Sequence, residues 1–341
     1  MSPYKLTIAI PTWNRNKALL RNLTELMPQL TTECELMVID NCSDIPVETT
    51  IAGILNTYSG IKTRIIRNRY NVGGNANILR CYEQATTEWV WVMGDDDLPQ
   101  KEAIERIFAS IEKYPDSFCI NFKVAWIVES IRTEPQRFTE MRTLLDQIGS
   151  LGELAFISAA VHKVSAYHDL FSIAYQFTNT NISHVILVLF ALARQRGSVV
   201  LESSSIVVRP VPDDVINDSL LALGISNSLD LPFSGKDLLE LKKALQKTER
   251  TWISFRGVIV SLLIEHCENN DNARLRIRLA SVRRRYFTLG AFWKKWFYVT
   301  LAMLISISPG IASRGLGWIY RKLKPNSIKT RKMAPLNKTT Y

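Results

Sequence analysis

The chain has 341 residues, 47% hydrophobic and 22% charged, a composition that buries a core in one large domain or two modest ones. Its five cysteines, Cys34, Cys42, Cys81, Cys119 and Cys267, are scattered and form no CxxC pair. That excludes a disulfide framework or a cysteine zinc site and fits a reducing compartment. The net charge of +10 is uneven: 16 of the 42 Lys and Arg, and no Asp or Glu, follow residue 273, so the first 273 residues carry −6. A mildly acidic body with a basic end calls for an anionic partner at that end only, lipid or nucleic acid.

Met1 to Lys5 lacks the basic-then-apolar layout of a secretory signal, so a cytoplasmic start is expected. Leu6 to Ile10 reads as a buried strand stopped by Pro11. Leu19, Leu20, Leu23, Leu26, Met27 and Leu30 recur at helical spacing. Leu36 to Ile39 is a second strand, followed by the acidic loop Asp40 to Asp44. Pro46 to Tyr58 reads as a helix, Arg64 to Arg67 as a strand, Asn75 to Ala85 as a helix and Trp89 to Met93 as a fourth strand. Strands alternating with helices across short loops predict a parallel α/β sheet, whose ligands bind beyond the C-terminal strand ends. Further on, Lys101 to Tyr114 reads as a helix, Phe118 to Val128 as a strand-like run and Thr133 to Gly149 as a polar irregular stretch. His184 to Ala193 reads as a buried helix and Ser198 to Val208 as one or two strands. Pro210 and Pro212 mark a boundary, and helices are expected over Lys236 to Gln246, Trp252 to His266 and Ala273 to Tyr286.

The strongest chemical signal is Gly94-Asp95-Asp96-Asp97-Leu98-Pro99. Three carboxylates in one turn after a buried strand repel one another unless a cation is present. Hard divalent ions such as Mg²⁺ or Mn²⁺ take carboxylate oxygen and share their shell with substrate phosphates. The plainer alternative is a solvated turn leading into the next helix. No GxGxxG follows the first strand, which argues against a dinucleotide dehydrogenase.

Four segments occur in order: Ile10 to Arg15, Val38 to Asp44, Asn71 to Asn77 and Gly94 to Asp97. Together they resemble a family 2 glycosyltransferase with the GT-A fold, over roughly Lys5 to Val208, and are most similar to O-antigen sugar transferases of the abequosyltransferase type. The resemblance implies a Rossmann-like, mostly parallel sheet flanked by helices. A GT-A domain is expected at residues 1–210, with a nucleotide-sugar half to about 100 and an acceptor half beyond it, and a helical, basic C-terminal region at 211–341. It implies inverting transfer of a hexosyl or deoxyhexosyl group from a nucleotide-diphosphate sugar to a lipid-linked glycan, as in O-antigen, lipopolysaccharide or capsule synthesis. Carried over by position, Pro11, Thr12, Asn14 and Arg15 would line the nucleotide pocket and its phosphates. Asp40, beside Asn41, would accept a hydrogen bond from the base, and Asn71, Gly73 and Asn77 would close beneath the nucleotide. Asp95, Asp96 and Asp97 would hold the Mg²⁺ or Mn²⁺, with Asp97 also counted as catalytic. One departure stands out: where relatives carry an acidic base, this chain reads Asn179 to Val185 with no acid. His184 occupies that place, and a neutral imidazole is a competent base near pH 7. A structural histidine in a helix's first turn is the alternative.

Trp296 to Ser313 is 18 residues without a charge, flanked by Arg283, Arg284, Arg285, Lys294 and Lys295 before it and Arg314, Arg321 and Lys322 after it. Basic residues on both sides suit a segment lying in the membrane interface, with Trp293, Trp296 and Tyr298 at headgroup level. The expected location is the inner face of the cell membrane, held peripherally by anionic lipid. Two rival readings are a nucleotidyltransferase acting on sugar phosphates and a nucleic-acid-binding protein using the basic end. Against the first, Pro11 to Lys17 contains no glycine; against the second, no nucleic-acid motif is visible and none is expected as a partner.

Overall fold

The computed structural model describes residues 4–124, 132–148, 151–208, 224–247, 266, 271–289 and 292–313. The chain divides into two compact units, Met1–Val211 and Pro212–Tyr341.

The first unit is built on β1 (Leu6–Thr12), β2 (Cys34–Asp40), β3 (Lys62–Arg67), β4 (Trp89–Val92), β5 (Leu98–Pro99), β6 (Ser117–Asn121), β7 (Gln136–Phe138), β8 (Ala160–Lys163), β9 (Ser198–Leu201) and β10 (Val207–Val208). Between them run α1 (Asn16–Leu26), α2 (Val47–Thr57), α3 (Gly74–Gln84), α4 (Ala103–Lys113), α5 (Met141–Gln147), α6 (Gly152–Ala155), α7 (Phe171–Gln176) and α8 (Ser183–Ala193). Eight strands form one mostly parallel sheet in the order β3-β2-β1-β4-β8-β6-β9-β7, and β5 pairs with β10 in a small antiparallel ladder. β3, β2, β1 and β4 are mutually parallel; β8 enters antiparallel between β4 and β6.

β2 and β4 are buried along their whole length, as the near-continuous apolar runs of parallel strands require. Leu6, Ile8 and Ile10 of β1 pack with Leu19, Leu23 and Leu26 of α1 and with Leu36, Val38 and Trp91 in one core. The chain passes from β1 outward to β2 and β3, then returns to the other side of β1 as β4. The strand order therefore reverses at β1, and the loops after β1 and β4 open a crevice where such sheets bind ligands.

Three sequence expectations change. β1 runs through Pro11 to Thr12 instead of stopping before it. The Thr12 carbonyl accepts from Asn41 of the β2 side and the Ala9 carbonyl from Met93 of the β4 side. Alternate residues address alternate neighbours, so Pro11 turns its missing N–H towards β4, beyond the last β1–β4 pair at Ala9–Val92. The stretch expected to be irregular, 133–149, holds β7 and α5, because Met141, Leu144, Leu145 and Ile148 recur at helical spacing and are buried. The strand-like run from Phe118 ends as β6 at Asn121, and residues 125–131 lie outside the described ones.

The second unit holds α9 (Gly235–Lys247), α10 (Asn272–Leu289), α11 (Phe292–Ile307) and a short helix Pro309–Ala312. Leu275, Leu279 and Val282 of α10 and Ala302 and Ile305 of α11 form its apolar core, with Tyr298, Leu301 and Ala312 against it. Tyr298 thus faces inward and not towards headgroups. Arg284 is also committed, to Asp230 and to the Ser226 carbonyl. The helix expected over Trp252 to His266 lies outside the described residues, except for His266.

Candidate active site

The crevice at the β1 and β4 ends is a cavity of about 290 Å³ lined by Pro11, Thr12, Trp13, Arg15, Asn41, Gly74, Asn77, Ile78, Gly94, Asp95, Asp96 and Ile157. Its acidic wall is held from several directions. Thr12 Oγ1 donates to Asp95 Oδ2 at 2.7 Å. Arg15 Nη1 reaches Asp95 Oδ1 at 3.2 Å and Asp96 Oδ2 at 2.8 Å. Asp97 accepts from the Ser158 hydroxyl, which in turn accepts from the Gly94 N–H at 2.8 Å. Ser158 is fixed because the Trp91 indole N–H donates to its carbonyl at 2.8 Å. From α1, the buried Asn22 amide donates to the carbonyls of Gly94 at 3.0 Å and Asp97 at 2.7 Å, clamping the turn. A Cβ on Gly94 would stand 2.7 Å from Asp97 Oδ2, so any larger residue there would displace the Asp97 carboxylate.

Asp95 and Asp97 are each 5% exposed. Burial pushes both carboxyls up to about 6, against the hydrogen bonds from Thr12 and Ser158 and the charge of Arg15. Two buried carboxylates facing one cation of the protein leave negative charge uncompensated at neutral pH. That donor set fits a hard divalent ion. The three aspartates do not converge into a cage, however. Among the described residues no group of three His, Cys, Asp or Glu side chains stands ready to hold a metal. Asp96, its side chain 42% exposed, goes to Arg15. Of the three carboxylates expected to hold a metal, Asp95 and Asp97 are the buried pair and Asp96 is the partly exposed one.

The second wall is a network of asparagines. Asn41 Nδ2 donates to Asn71 Oδ1 at 2.7 Å, and Asn41 Oδ1 accepts from Asn68 Nδ2 at 2.9 Å and the Val72 N–H at 3.0 Å. Asn68 also donates to Asn77 Oδ1 at 2.8 Å, and Asn77 Nδ2 to the Ile39 carbonyl at 3.1 Å. Asn71 Oδ1 accepts the Gly73 N–H at 2.8 Å, and Gly73 enters α3 with φ of 85°, a left-handed conformation suited to glycine. Asn14 does not line the cavity. At φ 55° it staples the two loops, its N–H on Ser43 Oγ at 2.9 Å and its amide on Asp44 at 3.1 Å.

Asp40 stands behind the wall, 1% exposed. Its Oδ1 accepts the Ser43 N–H at 2.8 Å and its Oδ2 accepts from Arg67, whose other nitrogen donates to the Ser43 carbonyl at 2.7 Å. Both carboxylate oxygens already serve the loop.

His184 is placed elsewhere. It is 4% exposed, outside the cavity lining, with Nε2 on the Leu154 carbonyl at 3.2 Å and Nδ1 buried without a partner. Burial holds its pKa down to about 4. The geometry does not bring it to the acidic turn, which removes the support for a base role. The link between that segment and the cavity runs instead from Asn75 Nδ2 to Asn181 Oδ1 at 2.7 Å. Asn22, Ser158, Asn68 and Arg67 were missed in the sequence. Only their chemistry as amide, hydroxyl and guanidinium could have suggested them, since their partners lie up to 75 residues away.

Residues 7–166 match the family model of glycosyl transferase family 2. This stretch, just under half of the chain, is similar to the family 2 glycosyltransferases. It contains every residue of the cavity, and it ends before α8. An uncharacterized glycosyltransferase of Haemophilus influenzae is 26% identical over 160 residues, 44% of this chain and 52% of that protein. The match thus spans about half the relative's length. Among solved structures, S. aureus TarS 1–349 superposes with a TM-score of 0.58 at 17% identity, covering 93% of this chain and 91% of that one. The mannosyltransferase PcManGT from Pyrobaculum calidifontis, in complex with GDP-Man and Mn²⁺, gives 0.52 at 14%, covering 96% and 90%. These likenesses establish the GT-A architecture of the fold. Among the described residues no helix is long and apolar enough to cross a membrane.

Proposed function

We propose that the protein transfers a sugar from a nucleotide-diphosphate sugar to a hydroxyl of a lipid-linked glycan, with a divalent ion, Mg²⁺ or Mn²⁺, at Asp95 and Asp97. The observation that carries this reading is the crevice itself. At the strand-order reversal, the carboxylates of Asp95 and Asp96, one arginine and the amides of Asn41 and Asn77 line one cavity, with the buried Asp97 next in the same turn. Arg15 is set to meet phosphate oxygens, since a guanidinium pairs with them bidentately. It leaves Asp95 and Asp96 when it does so. The asparagine wall offers donors and acceptors without charge, which suits a nucleoside. A bound ion would neutralise charge building on the leaving diphosphate. Asp97, kept in place by Ser158, and Asp95, kept by Thr12, are the residues that would hold it.

S. aureus TarS has been solved with UDP and with UDP-GlcNAc, and PcManGT with GDP-Man and Mn²⁺. A nucleotide-diphosphate sugar is accordingly the donor class proposed here. The lipid-linked acceptor, in O-antigen, lipopolysaccharide or capsule assembly, rests on the basic end, which carries 16 cations and no acid after residue 273. Such an end would hold the enzyme peripherally at an anionic membrane surface. Inversion at the anomeric carbon belongs to the same proposal.

The test is a panel of nucleotide sugars scored by thermal stabilisation with and without Mn²⁺, then by transfer to lipid-linked and soluble acceptors. Ligands of the folded state raise its stability by mass action. No stabilisation by any nucleotide sugar in the presence of metal would reject the reading.

A further inference from the structure

α11 buries one face and exposes the other. Ala302 and Ile305 are fully buried against α10, with Tyr298 and Leu301 beside them. On the opposite side Trp293, Trp296, Phe297, Met303, Leu304 and Ile307 are 66, 52, 49, 48, 60 and 80% exposed. At ~100° per residue these six fall within an arc of ~120°, centred away from the packed face. The stripe continues past the helix end into Ile311, 74% exposed. A water-facing helix surface would carry mostly polar residues there; this one is apolar and aromatic except for Thr300.

The helix has 16 residues. At 1.5 Å per residue it is ~24 Å long, short of the ~30 Å hydrocarbon core, and its inner face is already occupied. It can lie along a bilayer but not through it. The surrounding sequence supplies the electrostatic half of the argument. From Arg274 onward every charged side chain is cationic, with Lys294 and Lys295 inside the first turn of α11. An apolar helix face in a stretch of sequence whose charged residues are all cationic matches the two layers of an anionic leaflet, acyl chains beneath headgroup phosphates. A protein partner would have to offer an apolar groove ringed by acid, and nucleic acid would gain nothing from the aliphatic end of the stripe.

We infer that the exposed face of α11, from Trp293 to Ile307, is a docking surface for an anionic bilayer, lying flat with its aliphatic end in the acyl layer. This rests on the membrane-surface reading above and deepens it: the attachment is carried by a defined helix face, not by diffuse charge. Cations supply long-range attraction that salt screens, whereas the inserted face supplies a part that salt leaves intact.

The experiment uses the full chain and a Leu304→Ser/Ile307→Ser double variant, both positions exposed and outside the α10–α11 core. Each is floated with vesicles of phosphatidylcholine alone and with vesicles containing phosphatidylglycerol, at low and high salt. The wild type is expected on phosphatidylglycerol vesicles, with a fraction retained at high salt. The double variant should lose at least about tenfold in affinity and all salt-resistant binding, two large apolar side chains being withdrawn from insertion. Unchanged thermal unfolding and unchanged stabilisation by nucleotide keep a folding defect, or a failure of the donor reading, apart from failure of this one. Equal flotation of variant and wild type would overturn the inference. So would a wild-type dimer that the double variant dissolves, or retention on duplex DNA without flotation.

Discussion

Thr12 Oγ1 donates to Asp95 Oδ2 at 2.7 Å, joining the end of β1 to the turn after β4 across 83 residues of sequence. One side of the bond is the last residue of β1, proposed to face the phosphates of the donor, and the other a carboxylate proposed to hold a metal. The bond also opposes the burial that lifts Asp95, so the turn is built to keep a charged acid in a place that disfavours one.

From that arrangement, Asp95→Ala and Asp97→Ala should each lower kcat by about a thousandfold, a loss of ~4 kcal/mol of transition-state stabilisation. Asp96→Ala should be milder, because its side chain is 42% exposed and serves Arg15. A chelator should abolish wild-type turnover and Mn²⁺ or Mg²⁺ restore it. Full turnover after thorough chelation would remove the metal from the proposal.

Gly94→Ala separates the shape of the turn from its charge. The new Cβ would meet Asp97 Oδ2 at 2.7 Å and Asp96 Oδ1 at 3.3 Å. Relief requires Asp97 to leave Ser158, at a cost of about 1–3 kcal/mol typical of overpacking. Metal affinity measured by calorimetry should drop at least tenfold while every carboxylate remains. Normal metal binding by this variant would show that the turn tolerates a shift.

The Asp40–Arg67 pair gives a third outcome. Asp40→Asn retains an acceptor for the Ser43 N–H but loses the ion pair that fixes the loop after β2. The donor KM should rise about fivefold to tenfold with kcat nearly unchanged, the pattern for a contact felt alike in ground and transition states. Arg67→Lys, which keeps charge but not the two-pronged geometry, should behave similarly. An unaltered donor affinity would reduce Asp40 to a turn residue.

The strands and the loops that follow them were legible because burial writes itself locally: Leu36 to Ile39 and Trp89 to Val92 have no other plausible place than a sheet interior. Acidic residues after Val92 were equally plain. What sequence hid were partners acting across the chain. Asn22 looks like any polar residue on α1, yet it bridges the Gly94 and Asp97 carbonyls. Ser158 sits in a short turn, 61 residues from the carboxylate it serves. His184 shows the opposite failure. The apolar run from Val185 to Leu192 predicted a buried helix, and that same burial encloses the histidine which position alone would have put in the cavity.

The last prediction concerns that histidine and pH. Burial holds His184 down to about 4 and His162 to about 3, both below the ordinary 6.5. The unfolded chain therefore takes up these protons from about pH 6.5 downward, while the folded one stays neutral. Each histidine then removes stability on acidification by up to ~1.4 kcal/mol per pH unit until its folded pKa is reached. Asp95 and Asp97 act with the opposite sign. Raised from 3.8 to about 6, they bind protons in the folded state first, so acidification between those values favours the fold. The two pairs offset each other, and metal-free wild type should show a shallow stability profile from pH 6 to 4.5. His184→Gln should tilt that profile towards greater relative stability in acid, and Asp97→Asn should tilt it the other way; urea unfolding at pH 7.5, 6 and 5 reads both. Turnover of His184→Gln at pH 7 should stay within about threefold of wild type, since general-base removal would cost about a hundredfold or more. A loss of that larger size, with an unchanged fold and a vanished acid limb in kcat/KM, would return the imidazole to the acceptor hydroxyl.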